Sequence, residues 1–201
     1  MRLRKFWGWG YDDELLSSEE ENNIDQRIAK TFQLDHVERI EIPKISDIDI
    51  NKPLFSTPSS LKKILSDDKL ERLNHAYGKS FPDSARSLLG DFSSPPDYVA
   101  FPETQNEITS ILDWASENNV AVIGDMNIDF NGKDHDFKNY MQRNCFKQLV
   151  KKPTHIKGGL LDHIYVNERL LKHQTFSTQR NVYFSDHDVI VLHVPNTTNK
   201  N

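Results

Sequence analysis

Carboxylate, amide and imidazole side chains gather in four short clusters of this 201-residue chain, all after residue 123. They are Gly124-Asp125-Met126-Asn127-Ile128-Asp129, Pro153-Thr154-His155, Leu161-Asp162-His163 and Ser185-Asp186-His187-Asp188. Each follows or opens an apolar run, the placement expected where strand ends face a cleft. At such a turn Asp125 and Asn127 share one side while Met126 points away. A carboxylate can orient or deprotonate water, and an imidazole can carry a proton or a positive charge. That set suits acid–base work on a bound water.

Simpler roles compete for the same residues. An Asp-x-Asn turn also closes on itself through Asx hydrogen bonds. Asp162 and Asp186 can cap strand ends. Lys147, Lys151, Lys152 and Lys157 can line a phosphate path or form a solvated face. His163 and Asp188 flank the reactive positions and are expected to face elsewhere. Asp134-His135-Asp136 has a metal-like spacing but sits in a polar loop. Cys145 is expected to be a small buried hydrophobe.

The elements that must position these groups are α/β (α+β) in pattern. The spacing predicts a helix from Ser18 to Phe32, an extended linker over 43–60 containing Pro43, Pro53 and Pro58, and helical turns at Leu61, Ile64 and Leu65 and over 67–76. Tyr98 to Phe101 reads as a short strand. Thr104 with Glu107 forms a capping-box pair, and Ile108, Ile111, Leu112 and Ala115 follow at helical spacing. Val120 to Ile123 then reads as a buried strand, completing a strand–helix–strand run. Beyond it come a helix from Asp136 to Met141, an approach over 145–150, and strands at Leu160 to Val166 and Val189 to Val194. Residues 195–201 read as a disordered tail.

Composition limits the class. Mean hydropathy is -0.66 and 36% of residues are hydrophobic, so the core is thin for the length. No run approaches the roughly 18 apolar residues that span a bilayer. The basic start Met1-Arg2-Leu3-Arg4-Lys5 has no apolar stretch behind it, so a signal peptide and a membrane partner are not expected. The lone Cys145 fits a reducing, intracellular setting, cytoplasmic or nuclear. Residues 1–123 hold 14 Lys/Arg against 22 Asp/Glu, a charge of -8; residues 124–201 hold 11 against 8, a charge of +3. Only the second part would tolerate a phosphate backbone.

Two resemblances divide the chain near residue 123. Phe6-Trp7-Gly8-Trp9-Gly10, Leu73-Asn74-His75-Ala76-Tyr77-Gly78-Lys79-Ser80 and Pro95-Pro96-Asp97-Tyr98-Val99-Ala100-Phe101-Pro102-Glu103-Thr104 resemble the N-terminal region of FAD-linked oxidases of the alkylglycerone-phosphate synthase type. That family follows its strand with a glycine-rich loop for the flavin pyrophosphate. Here Gly124-Asp125-Met126-Asn127 follows, so FAD is not expected to bind. Trp7 and Trp9 are expected to serve core or interface packing.

The four polar clusters, with Gln148-Leu149-Val150 and Gly159 to Val166, resemble the C-terminal part of the endonuclease/exonuclease/phosphatase superfamily, retrotransposon endonucleases above all. The resemblance implies Asp125 orienting the water, Asn127 on a phosphate oxygen, His187 at the scissile phosphate, Asp162 orienting His187, and Asp186 at Mg²⁺. Nucleic acid or another phosphodiester is the implied substrate. The family's metal-binding glutamate and first asparagine are missing, so activity would be impaired or depend on a completing chain.

The expected division is a helical region over 1–95, a partial oxidase subdomain over 96–123, a partial endonuclease/exonuclease/phosphatase sandwich over 124–194, and the tail. The expected function is metal-dependent phosphodiester hydrolysis. A truncated FAD-linked oxidase and a non-catalytic fusion product are the alternatives.

Overall fold

The structure is a computed structural model that describes residues 2–133, 135–172, 175–182 and 185–194, His135 by its backbone alone. The tail over 195–201 and Asp134 of the Asp134-His135-Asp136 cluster lie outside the described residues. Two compact units divide the chain, Met1–Pro102 and Glu103–Asn201.

The first unit holds helices α1 (Ser18–Phe32), α2 (Lys69–Asn74) and α3 (Phe81–Leu88), and strands β1 (Leu65–Ser66) and β2 (Val99–Ala100). The α1 boundaries are those of the sequence pattern. Ser17 and Glu20 close a reciprocal capping box, three glutamates fill the first turn, and Gln33 ends the helix in the left-handed region at φ 55°. No α1 residue is buried. Arg39 pairs with Glu21 and Asp25 along its side.

The core of this unit is Phe6, Ile48, Leu73 and Phe92, with Trp7, Leu70 and Tyr77 packed against it. Trp7 therefore packs as expected. Trp9 lies outside the core: it is 79% exposed, and its Nε1 donates to Lys79 O. Arg72 is buried and spends its guanidinium on backbone, Nε to Pro96 O and Nη2 to Asn51 O, both at 2.7 Å. Leu61, Ile64 and Leu65 are buried, but none lies in an α-helix. A short 3-10 turn over Ser59–Leu61 leads into β1, because Leu65 and Ser66 pair antiparallel with Ala100 and Val99. Pairing with a distant strand overrides the local spacing.

The second unit holds α4 (Gln105–Asn118), β3 (Val122–Asp125), α5 (His135–Arg143), β4 (Phe146–Gln148), β5 (Asp162–Asn167), α6 (Glu168–Leu171), β6 (Phe176–Arg180) and β7 (Val189–His193). The Thr104–Glu107 capping box forms, and Ile111, Leu112 and Ala115 are buried. β5 is central, antiparallel to β3 on one side and β4 on the other. His163 to Asn167 are all buried, as a strand covered on both faces requires. One face packs on Leu112, Ala115, Met141 and Phe146, with Tyr165. The other joins Ile164 and Val166 to Val150 and Leu160. β6 and β7 form a separate antiparallel pair.

The chain is a mixed α/β fold with small sheets. Among the described residues the strands form sheets of two, three and two strands, each closed by its own short pairings. The strand–helix–strand run is likewise not one sheet, since β2 pairs with β1 and β3 with β5. Cys145 is exposed, not buried, with φ at 58° in the turn between α5 and β4.

Candidate functional site

The β3–β5 register sets Asp125 directly opposite Asp162. A bridge between His155 and His187 then carries the 185–188 loop to the same strand ends. Thr154 organises this approach. Its buried Oγ1 accepts from Leu161 N at 3.1 Å and Asp162 N at 3.0 Å, and its carbonyl accepts from Asp188 N at 2.7 Å. Ile156 N donates to Asp186 O at 2.8 Å.

The result is a carboxylate–imidazole cluster. His187 Nδ1 lies 2.8 Å from Asp162 Oδ2, with both side chains mostly covered. That hydrogen bond to Asp162 pushes the imidazole above its ordinary proton affinity, against the opposing effect of burial; Asp125 and Asp186 add smaller attraction. His155 Nε2 sits 3.4 Å from Asp186 Oδ2, and the two imidazole rings meet edge-on at 4.8 Å.

The predicted residues thus divide. Asp125, Asp162, Asp186 and His187 converge. Asn127 is exposed, and among the described residues no hydrogen bond joins its side chain to the cluster. Its backbone N–H donates to Asp125 Oδ1 at 2.9 Å with φ at 51°, which is the Asx turn.

His163 faces the core, as expected. Its Nε2 points at Ile128 O and Leu160 O, and its Nδ1 meets the Tyr165 hydroxyl. Burial lowers its proton affinity, against the carbonyls of Ile128 and Leu160, which raise it. Asp188 also turns away, accepting from Gln179 and Asn181. Two participants were not assigned from sequence, Thr154 and His155. Both stand in the Pro153-Thr154-His155 run, so proximity to a motif was the available signal. Asp129 was missed as well: its Oδ1 accepts from Leu160 N and Asn131 N, which holds its carboxyl below the usual range.

Two groups of ligating atoms lie within 4.8 Å of one another, Asp125–Asp162–His187 and His155–Asp186–His187. Neither fits Mg²⁺, which prefers oxygen donors and bound water. Asp125 is committed to its turn, Asp162 to His187, and the second group brings two imidazoles. The end of β3 does not fit a flavin pyrophosphate either. Met126 N–H already donates to Leu161 O and Asn127 N–H to Asp125, and a carboxylate stands where the phosphate charge would come.

With this geometry in place, comparison with known proteins gives the class first: the chain is similar to proteins of the FAD-linked oxidase type. In particular, it is 31% identical over 99 residues to alkyldihydroxyacetonephosphate synthase of Dictyostelium discoideum, a match covering 47% of this chain and 16% of that protein. It is 32% identical over 78 residues to the Trypanosoma brucei brucei synthase, covering 35% of this chain and 13% of the relative. The chain thus spans a small part of the curated relatives it matches. Two solved structures of alkyldihydroxyacetonephosphate synthase align at TM-scores of 0.47 and 0.46, with 22% and 20% identity, covering 60% and 57% of this chain and 27% and 25% of theirs. No family model matches the chain.

These matches overturn several expectations. The relatives are synthases, so phosphodiester hydrolysis and a nuclease identity are withdrawn, and no match supports an endonuclease/exonuclease/phosphatase segment. Mg²⁺ is withdrawn with them, and so is the expectation that FAD does not bind, because the relatives are of the FAD-dependent type. Among the described residues no helix is long and apolar enough to cross a membrane.

Proposed function

We infer that this chain carries the N-terminal segment of an FAD-linked oxidase of the alkyldihydroxyacetonephosphate synthase type, and that its first unit performs that segment's role. The identity of 31% over 99 residues carries the reading. The packing of the first unit supports it. The three segments that bear the resemblance are distant in sequence, yet they converge on one core. Lys79 Nζ donates to Lys5 O and Phe6 O, Trp9 Nε1 to Lys79 O, and Arg72 to Pro96 O. Phe6 and Leu73 share the same apolar cluster.

In this reading the first unit is a structural brace. The two cations that reach its interior, Arg72 and Lys79, are both spent on backbone carbonyls. The flavin phosphates would be held by residues other than 124–127. The lone Cys145 keeps the assignment to an intracellular compartment.

The test is a graft. Residues 1–102 replace the matching N-terminal segment of an alkyldihydroxyacetonephosphate synthase, and flavin content is read from the visible absorbance of the purified chimera. Soluble, flavin-loaded protein is expected. A soluble chimera without flavin, beside a loaded parent, would sink the reading.

The second unit supports a separate proposal on one observation, the 2.8 Å contact of His187 with Asp162. Asp125, Asp162, Asp186 and His187 form an acid–base cluster in which Asp162 orients His187 and holds its proton, with Asn127 outside it. Asp162→Asn must lower the His187 proton affinity. An unchanged NMR titration of His187 would remove the dyad.

A further inference from the structure

A cavity of the second unit lies among α5, β4 and the start of α6, and shares no residue with the carboxylate–imidazole cluster. It encloses about 580 Å³. That volume falls within the range of small-molecule sites, roughly 300–1,000 Å³. Its apolar wall includes Met141, Phe146, Leu160 and Tyr165, all buried. Its rim carries Lys138, Lys147 and Lys151 against one acid, Glu168. Glu168 is taken by Lys147 at 3.3 Å, while Lys138 reaches Gly132 O at 3.4 Å. Lys151 has no ion-pair partner among the described residues.

Gln148 also lines this cavity. Its Oε1 accepts from Val150 N at 3.2 Å and Ile164 N at 2.9 Å, which locks the amide in place. That orientation leaves Nε2, an obligatory double donor, buried with no partner. Buried polar groups in folded proteins are nearly always satisfied, so a fixed, unsatisfied donor beside a cavity marks where an acceptor belongs. Met141 and Lys151 are unbranched and line the same cavity, so both side chains can shift as a group enters it.

We propose that this cavity binds a small amphipathic anion: an apolar chain against Met141, Phe146 and Leu160, with its anionic oxygen on Gln148 Nε2 and Lys151. The site is independent of the oxidase reading, since none of its residues belongs to the first unit.

The only cysteine of the chain, Cys145, is exposed and also lines this cavity, which supplies a reporter. The whole chain is alkylated with iodoacetamide in the presence of octanoate, octanol or inorganic phosphate. Octanoate is expected to slow Cys145 alkylation saturably, octanol only at concentrations about tenfold higher, and phosphate not at all. Equal protection by octanol, protection by phosphate alone, or no protection by octanoate each overturns the proposal.

Gln148→Glu keeps the oxygen that accepts from Val150 and Ile164, but replaces the free donor with negative charge. It should weaken octanoate by about tenfold or more. Unchanged affinity in that variant refutes the role of Nε2. If that variant does not fold, Lys151→Glu on the exposed rim tests the anion instead: a several-fold loss of octanoate affinity supports it, and no loss refutes it.

Discussion

Thr154→Val tests whether a buried hydroxyl, and not the visible charges, builds the carboxylate–imidazole cluster. Valine keeps the side-chain volume and deletes the oxygen that accepts from Leu161 N and Asp162 N. Each donor left without a partner costs about 1–3 kcal/mol; both are partly buried, so the low end applies and the total is about 2 kcal/mol. For a unit of this size that lowers the melting temperature by about 8–16 °C. Thr154→Ser keeps the oxygen and loses one methyl, at about 1 kcal/mol. Serine should therefore be the milder change although it leaves the larger void. The second readout is local. With Asp162 N–H released, the Asp162–His187 contact loosens, and the proton affinity of His187 falls toward that of a free imidazole in the valine variant but not in the serine one. Thermal melts and NMR titration of the whole chain give both numbers. A valine variant as stable as the serine one, with an unshifted His187, would refute the organising role of Thr154.

Two further outcomes follow from named contacts. The folded state holds the His187 proton more tightly than the unfolded chain. Its contribution to stability is therefore fully present below the unfolded value near pH 6.5 and is lost as pH rises through the folded value. His187→Gln should destabilise the second unit at about pH 5.5 and leave it nearly unchanged at about pH 9, read by paired thermal melts; an equal loss at both would contradict the Asp162 contact. Arg72→Met removes a buried guanidinium and strands Pro96 O and Asn51 O, costing the first unit about 3 kcal/mol in urea denaturation, with no loss counting against its bracing role.

What the sequence revealed depends on where the signal lives. Capping chemistry is local, so the boundaries of α1 and the Thr104–Glu107 box were legible from a few neighbouring side chains. α3 was missed although it has the same signal, Ser80 with Asp83 and a proline in its first turn. It buries only Ser87 and leaves Phe81 87% exposed, so no apolar period marked it. Leu61, Ile64 and Leu65 gave a helical period that a distant pairing with β2 overruled. At the candidate site the sequence named the side chains that converge, because strand ends follow apolar runs. It also offered the Asx turn that Asp125 makes, as the simpler of two roles. It did not reveal that Thr154 would hold the assembly together, because that depends on which backbone groups the fold leaves without partners. The chemistry was the least legible part: short polar motifs pointed to hydrolysis, whereas identity over a longer stretch is to an alkyldihydroxyacetonephosphate synthase.

Helix α1 buries none of its 15 residues, so its helicity rests on end caps, an acidic first turn and the Arg39 pairs. Such contacts are weak and screened by salt. An isolated helix of this length is marginal in water. Ellipticity should therefore drift with temperature and ionic strength well before either core gives way, while tryptophan emission holds steady. A sloping baseline in a spectroscopic melt of this chain would report a fraying peptide, not an unfolding intermediate.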